Sequence, residues 1–181
     1  FLGYSLFLFQ RKLTKTLVAL EDRTEELKVA HEELEQRVEE RTAELRESER
    51  LLNTIVDNLP DMVFLKDAST LSFVRMNPAG ERLLGIERDE LLGKNDFDFF
   101  PEEEARFFQD NDRATLESGE VVEIPQEPIV TRRLGERMLR TKKVGVLGAD
   151  RTPRYLLGIS EDITEQLAMD AQRRDLEQRM L

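Results

Sequence analysis

The chain has 181 residues, a net charge of −11 and an isoelectric point near 4.8, which leaves room for one ordinary domain beside an extended segment. That acidic balance argues against nucleic acid, whose phosphates need a concentration of Lys and Arg, and the basic residues here mostly have carboxylates nearby. The absence of cysteine excludes disulfides and thiolate chemistry and fits a reducing cytoplasm.

The first residue is Phe rather than Met, and the chain is expected to be a fragment cut through helices at both ends. Residues 1–9 (FLGYSLFLF) are apolar but span only roughly 13 Å as a helix, less than half of a bilayer core about 30 Å thick. Arg11, Lys12 and Lys15 follow, as expected where a membrane helix emerges on the cytoplasmic side. Residues 1–10 are therefore expected to be the last turns of a transmembrane helix; a greasy helical extension or a signal-peptide remnant is the alternative.

From Leu13 a heptad run begins. Alternating steps of four and three give Leu13, Leu17, Leu20, Thr24, Leu27, His31, Leu34, Val38, Arg41, Leu45, Ser48 and Leu52, with no Gly or Pro from Arg11 to Leu59. A seam recurring every 3.5 residues on an otherwise charged helix cannot be buried by one helix alone. Residues 11–59 are expected to form a parallel two-stranded coiled coil about 70 Å long, and the chain a homodimer. Thr24, His31, Arg41 and Ser48 weaken the seam locally, at positions that fix register or permit slippage. His31 is the single histidine; a packing role in the seam is favoured over a phosphoacceptor, and a pH-sensitive pair across the dimer is a hypothesis. Pro60 stops the rod.

After Pro60 the period changes. Residues 62–66 and 71–76 read as a hairpin around Asp67-Ala68-Ser69. Asn77-Pro78 starts a helix that ends near Gly85. Residues 87–92 make a short helix closed by Gly93, and residues 96–100 are irregular and aromatic. Pro101 with Glu102, Glu103 and Glu104 opens a further helix, negative charge standing at the positive end of its dipole, and Gly119 ends it. Three strands follow, at residues 121–130, 137–147 and 154–160, turning at Gly135 and at residues 148–153. The last does not alternate in polarity, so both of its faces are expected to be covered. Asp162 is expected to cap a closing helix over residues 162–181, with Glu165 completing a capping box. The resulting α+β domain, residues 60–161, carries a five-stranded antiparallel sheet with short helices.

The residues also resemble a family. Asn77-Pro78-Ala79-Gly80 with Leu83-Leu84-Gly85, then Glu90-Leu91-Leu92-Gly93-Lys94, Asp98-Phe99-Phe100-Pro101 and Gly158-Ile159-Ser160-Glu161-Asp162-Ile163-Thr164 are similar, in order, to segments of PAS domains. The stretch Leu34-Glu35-Gln36-Arg37-Val38-Glu39-Glu40-Arg41-Thr42-Ala43-Glu44-Leu45 looks like the linker preceding such domains in bacterial membrane sensors. The resemblance implies the PAS fold and a cytoplasmic sensory module at the bacterial inner membrane, relaying a signal through its helices to a C-terminal output domain. That output is expected to be a sensor histidine kinase of a two-component phosphorelay, with a response regulator downstream. The input region of a diguanylate cyclase or phosphodiesterase, and a ligand-free structural dimerisation spacer, are the alternatives. Without cysteine the cysteinyl-flavin chemistry of light-sensing relatives is unavailable, and without a histidine after His31 haem held by a proximal His in the domain is excluded; the cofactor is otherwise unknown.

Candidate residues follow from these patterns. Phe64, Met76, Phe97, Phe99, Phe107, Phe108, Ile124, Met138 and Tyr155 either line a pocket or form a plain core, since the two have the same composition. Asp162, Thr164 and Glu165 are the expected coupling point to the output. Asp96, Asp98 and Glu102 to Glu104 begin like a calcium loop, but Phe100 and Pro101 stand where a third ligand and a Gly are needed, so no metal site is expected and helix capping is favoured. Arg132, Arg133, Arg137, Arg140, Lys142 and Lys143 read as the solvated side of a hairpin, or as a seat for an anion or lipid surface. No nucleophile–base pair and no Gly-rich phosphate loop is present, so the chain itself is not expected to be catalytic.

Overall fold

The computed structural model describes the backbone of residues 2–180 and the side chains of residues 11–180. By its internal contacts the chain divides into two units, Phe1–Leu52 and Asn53–Leu181. Over its described residues the first is helical, as part of α1 (Leu2–Asp57). Its seam residues Leu13, Leu17, Leu20, Leu27, Leu34, Val38, Leu45 and Leu52 are all exposed. His31 Nε2 stands 3.2 Å from Glu35 Oε1 one turn on. The expectation that residues 1–10 end a membrane helix falls on side chains outside the described residues. Among the described residues no helix is long and apolar enough to cross a membrane.

In the second unit the antiparallel sheet has the order β2-β1-β5-β4-β3, formed by β1 (Met62–Asp67), β2 (Phe73–Met76), β3 (Val122–Thr131), β4 (Gly135–Leu147) and β5 (Pro153–Asp162). Between β2 and β3 lie α2 (Pro78–Leu84), α3 (Arg88–Leu91), a 3-10 turn at Asp96–Asp98 and α4 (Glu102–Ser118); α5 (Thr164–Arg179) closes the chain. The α2 start is built as its residue types demand: Asn77 Oδ1 accepts from the Gly80 amide at 3.0 Å, and Gly85 ends the helix at φ 71°. The core packs one face of the sheet against these helices through Phe64, Phe73, Met76, Leu84, Leu91, Phe108, Ile129 and Leu139.

Three expectations are corrected. The second strand begins at Phe73 rather than Leu71, because the Asp67 carboxylate accepts from the Ser69 and Thr70 amides and turns the chain through a left-handed Leu71 at φ 56°. Hydrogen bonds to the Asp67 carboxylate, from the Ser69 side chain first, hold its pKa down at about 2. The strand β5 alternates in burial after all, with Leu156, Gly158 and Ser160 covered and Ile159 exposed. Its covered face carries Gly158 because Phe64 lies directly opposite in the register, and a Cβ there would run into the Phe64 ring. The exit helix starts at Thr164 with Ile163 as its cap residue and no side-chain cap. The expected capping box between Asp162 and Glu165 is therefore not formed.

Candidate functional site

An internal cavity of about 40 Å³ lies between the sheet and the helices. Its walls are mostly apolar, but Lys66, Asp96, Glu127 and Lys143 also line it, and together with Asp112 they form a buried cluster of charged groups that five different elements deliver. Lys66 comes from β1, Asp96 from the 3-10 turn, Asp112 from α4, Glu127 from β3 and Lys143 from β4, each at most 3 % exposed. Lys66 Nζ donates to Asp96 Oδ1 and Oδ2 at 2.7 and 2.8 Å and to Asp112 Oδ2 at 2.7 Å, so its three N–H groups are all engaged. Its ammonium also sits 4.8 Å from the centre of the Phe73 ring, close enough for a cation–π attraction. Burial pushes the Lys66 pKa down, but Asp112 and then Asp96 outweigh it and the net direction is up.

Asp112 is shared, since its Oδ1 accepts from Lys143 Nζ at 2.7 Å. Glu127 completes the cluster differently. Its Oε2 accepts from the Thr141 hydroxyl at 2.5 Å, and Thr141 is bonded in turn to Ser160. Its Oε1 lies 3.6 Å from Lys143 Nζ, beyond hydrogen-bond reach, and has no hydrogen-bond partner. Two ammonium groups thus face three carboxylates, and among the described residues one buried carboxylate oxygen is left without a hydrogen bond.

Of the aromatic and methionine candidates, Phe64, Met76 and Phe108 line this cavity. Phe97 and Phe107 are 47 % and 45 % exposed. Phe107 and Met138 line a surface groove beside Pro101 and Pro128, Ile124 is half-buried ahead of the bulge in β3, and Tyr155 is half-buried beside the Arg154 guanidinium. Strand parity explains Met138 and Tyr155: their neighbours Leu139 and Leu156, at 1 % and 0 % exposed, point inward. Phe99 packs edge-on against Phe73.

Lys143 is corrected from the solvated side of its hairpin to the buried cluster, and Asp96 from a helix-capping acid to the partner of Lys66. Asp98 does cap, accepting from the Asn95 amide at 2.9 Å. Most of the rest of the basic run faces acids: Arg132 bonds Glu90 and Arg140 bonds Glu161 through two hydrogen bonds each, and Arg137 and Lys142 stand 3.6 and 3.9 Å from Asp162 and Glu123. Sequence reasoning missed Lys66, Asp112 and Glu127. The signal was parity: Lys66 follows Met62 and Phe64 at steps of two, Glu127 precedes Ile129, and Asp112 follows Phe108 by one helical turn.

At the other end of β5, Asp162 Oδ1 accepts from the Thr164 amide at 3.0 Å and from its hydroxyl at 2.5 Å. The Thr164 hydroxyl oxygen accepts from the Met138 amide at 2.8 Å, and the Ile163 amide donates to the Met138 carbonyl at 2.9 Å. The first residue of the exit helix is therefore bonded to β4, beside the cavity-facing Leu139. Glu165 lies one residue further along α5 and is exposed.

Comparison with known proteins gives a consistent picture. Residues 56–168 match a family model described as PAS fold. A methanogenesis regulatory histidine kinase, FilI of Methanothrix harundinacea, is 30% identical over 118 residues, covering 65% of this chain and 13% of that protein. The uncharacterized protein y4lL of Sinorhizobium fredii is 30% identical over 113 residues, covering 61% of this chain and 13% of that protein. The chain thus spans a small part of the length of both relatives. Among solved structures, the PAS domain of an HTR-like protein from Haloarcula marismortui superposes with a TM-score of 0.54 at 20% identity, over 69% of this chain and 99% of that one.

Proposed function

The chain belongs to the PAS-fold family, and from that premise we propose that it is the sensory input of a signalling protein whose output is histidine-kinase phosphotransfer. One observation carries the kinase part, the likeness to FilI, which is named a regulatory histidine kinase. The module pairs with a second copy through α1. In support, eight apolar seam residues stand exposed along one helix, and an apolar stripe recurring every 3.5 residues calls for a partner. It works at the cytoplasmic face of a bacterial inner membrane, a reading supported by the apolar residues 1–9 and the basic residues Arg11, Lys12 and Lys15 after them.

A ligand in the cavity, or a stimulus arriving along α1, biases two arrangements of the dimer through unequal affinity for them. The Asp162–Thr164–Met138 junction passes that bias into α5 and onward to a kinase and its response regulator. The test is phosphotransfer in the longer protein that carries this chain. Incubation with labelled ATP is expected to give acid-labile, histidine-linked phosphate, and changing both Leu27 and Leu34 to Lys is expected to halve the sedimenting mass and alter the labelling. Absence of acid-labile label sinks the kinase reading, and an unchanged mass in the double variant sinks the pairing.

A further inference from the structure

The cavity wall carries a recognition element that the cluster's own bonds leave unused. Glu127 Oε1 is a buried acceptor without a donor, and the nearby Lys143 ammonium makes one hydrogen bond, to Asp112, leaving N–H groups to give. An acceptor in want of a donor and a donor in want of an acceptor face each other across 3.6 Å. An unpaired buried carboxylate oxygen is costly, so a guest that completes it gains where one that cannot loses.

The surrounding charges choose the guest's head group. A carboxylate or phosphate would meet Asp96 and Glu127 in the wall, part of a cluster of three acids against two lysines, and be repelled. An amine, as an ammonium, could donate to Glu127 Oε1 but has no acceptor to offer the free N–H groups of Lys143. A neutral group that both donates and accepts, such as a hydroxyl or a primary amide, serves Glu127 and Lys143 together without adding charge. The rest of the wall, including Phe64, Met76, Phe108 and Leu139, is apolar and takes a short hydrocarbon tail. About 40 Å³ is the room of roughly three water molecules, which limits the guest to a few non-hydrogen atoms.

We propose that the cavity binds a compact neutral alcohol or primary amide whose head bridges Glu127 Oε1 and Lys143 Nζ, with Glu127 as the residue that sets specificity. The inference rests on the sensory reading above and supplies the ligand chemistry. Relay through the helices is tested separately by phosphotransfer, so failure here would leave that reading standing. The experiment is an NMR titration of the full chain, following the methyl groups of Met62 and Met76 in the cavity wall, with four probes of similar size: ethanol, acetamide, ethylamine and acetate. Ethanol and acetamide are expected to shift these methyls saturably, with the amine and the acid at least tenfold weaker.

In Glu127→Gln the carbonyl oxygen keeps the Thr141 bond, and the amide nitrogen takes the place of Oε1, turning the acceptor into a donor. Acetamide is then expected to bind at least tenfold more weakly to the folded variant. The proposal is overturned if neither neutral probe saturates, which would mean that water alone fills the space. It is equally overturned if an ionic probe binds as well as the neutral ones, or if folded Glu127→Gln binds acetamide as the unaltered chain does. Should the variant fail to fold, the ranking of the four probes on the unaltered chain decides alone.

Discussion

Asp112 holds two lysines with its two oxygens and is fully buried, so it is the single residue on which the internal charge balance turns. Exposed pairs on the same domain, such as Arg106–Glu102, lie in water and contribute little. Within the cluster the reverse holds, because removing one partner strands charges that water cannot reach. Asp112→Ala is expected to lower stability by about 3–5 kcal/mol, read from the midpoint of urea unfolding at constant slope; a loss under about 1 kcal/mol, the scale of an exposed pair, would mean that water enters the cluster. None of this was legible in composition, where Lys66 and Asp112 look like any surface residues of an acidic chain. What could be read was position, since both fall on the inward phase of their element. A charge at an inward position is ordinarily a reason to doubt the phase; here five such residues from distant segments neutralise most of one another, and a long-range pairing of that kind leaves no local trace.

At the scale of elements, the helix ends were legible where a single residue type decides the geometry. Asn77 and Gly85 bracket α2 as expected, and Gly119 ends α4 in the left-handed region at φ 68°. The strands were legible too, except where a side chain borrows from another element. At the exit, the sequence Asp-Ile-Thr-Glu reads as a capping box, yet Asp162 belongs to β5 and its carboxylate turns to Thr164, whose hydroxyl is held by the Met138 amide. The junction is thus a bond between β4 and α5 rather than a local cap. Thr164→Val keeps the shape of the side chain but leaves the Met138 amide without its acceptor and Asp162 without the hydroxyl. A cost of about 1–3 kcal/mol is expected from the unsatisfied amide, together with faster hydrogen exchange at Met138 than at Leu139. Equal exchange at the two amides would mean that the hydroxyl does not hold the strand.

For the whole molecule, the relay proposed above makes the phase of α1 the quantity that a signal would have to respect. The run of 56 residues is unbroken, and its apolar stripe follows a repeat of 3.5 residues, so in a pair the stripe sets which faces of the two helices meet. Deleting residues 32–38 removes one heptad and leaves every remaining seam position in step. Deleting residues 33–34 removes two residues and shifts all later seam positions by two places, roughly 200° around the helix, which rotates them off the interface. The seven-residue deletion is expected to sediment as a dimer and to keep stimulus-dependent phosphotransfer in the longer protein. The two-residue deletion is expected to lock output at one level, since the two arrangements between which a ligand would choose are then no longer close in free energy. If both deletions regulate alike, the helix serves as a tether rather than a rod, and the information must travel through β5 and α5 alone.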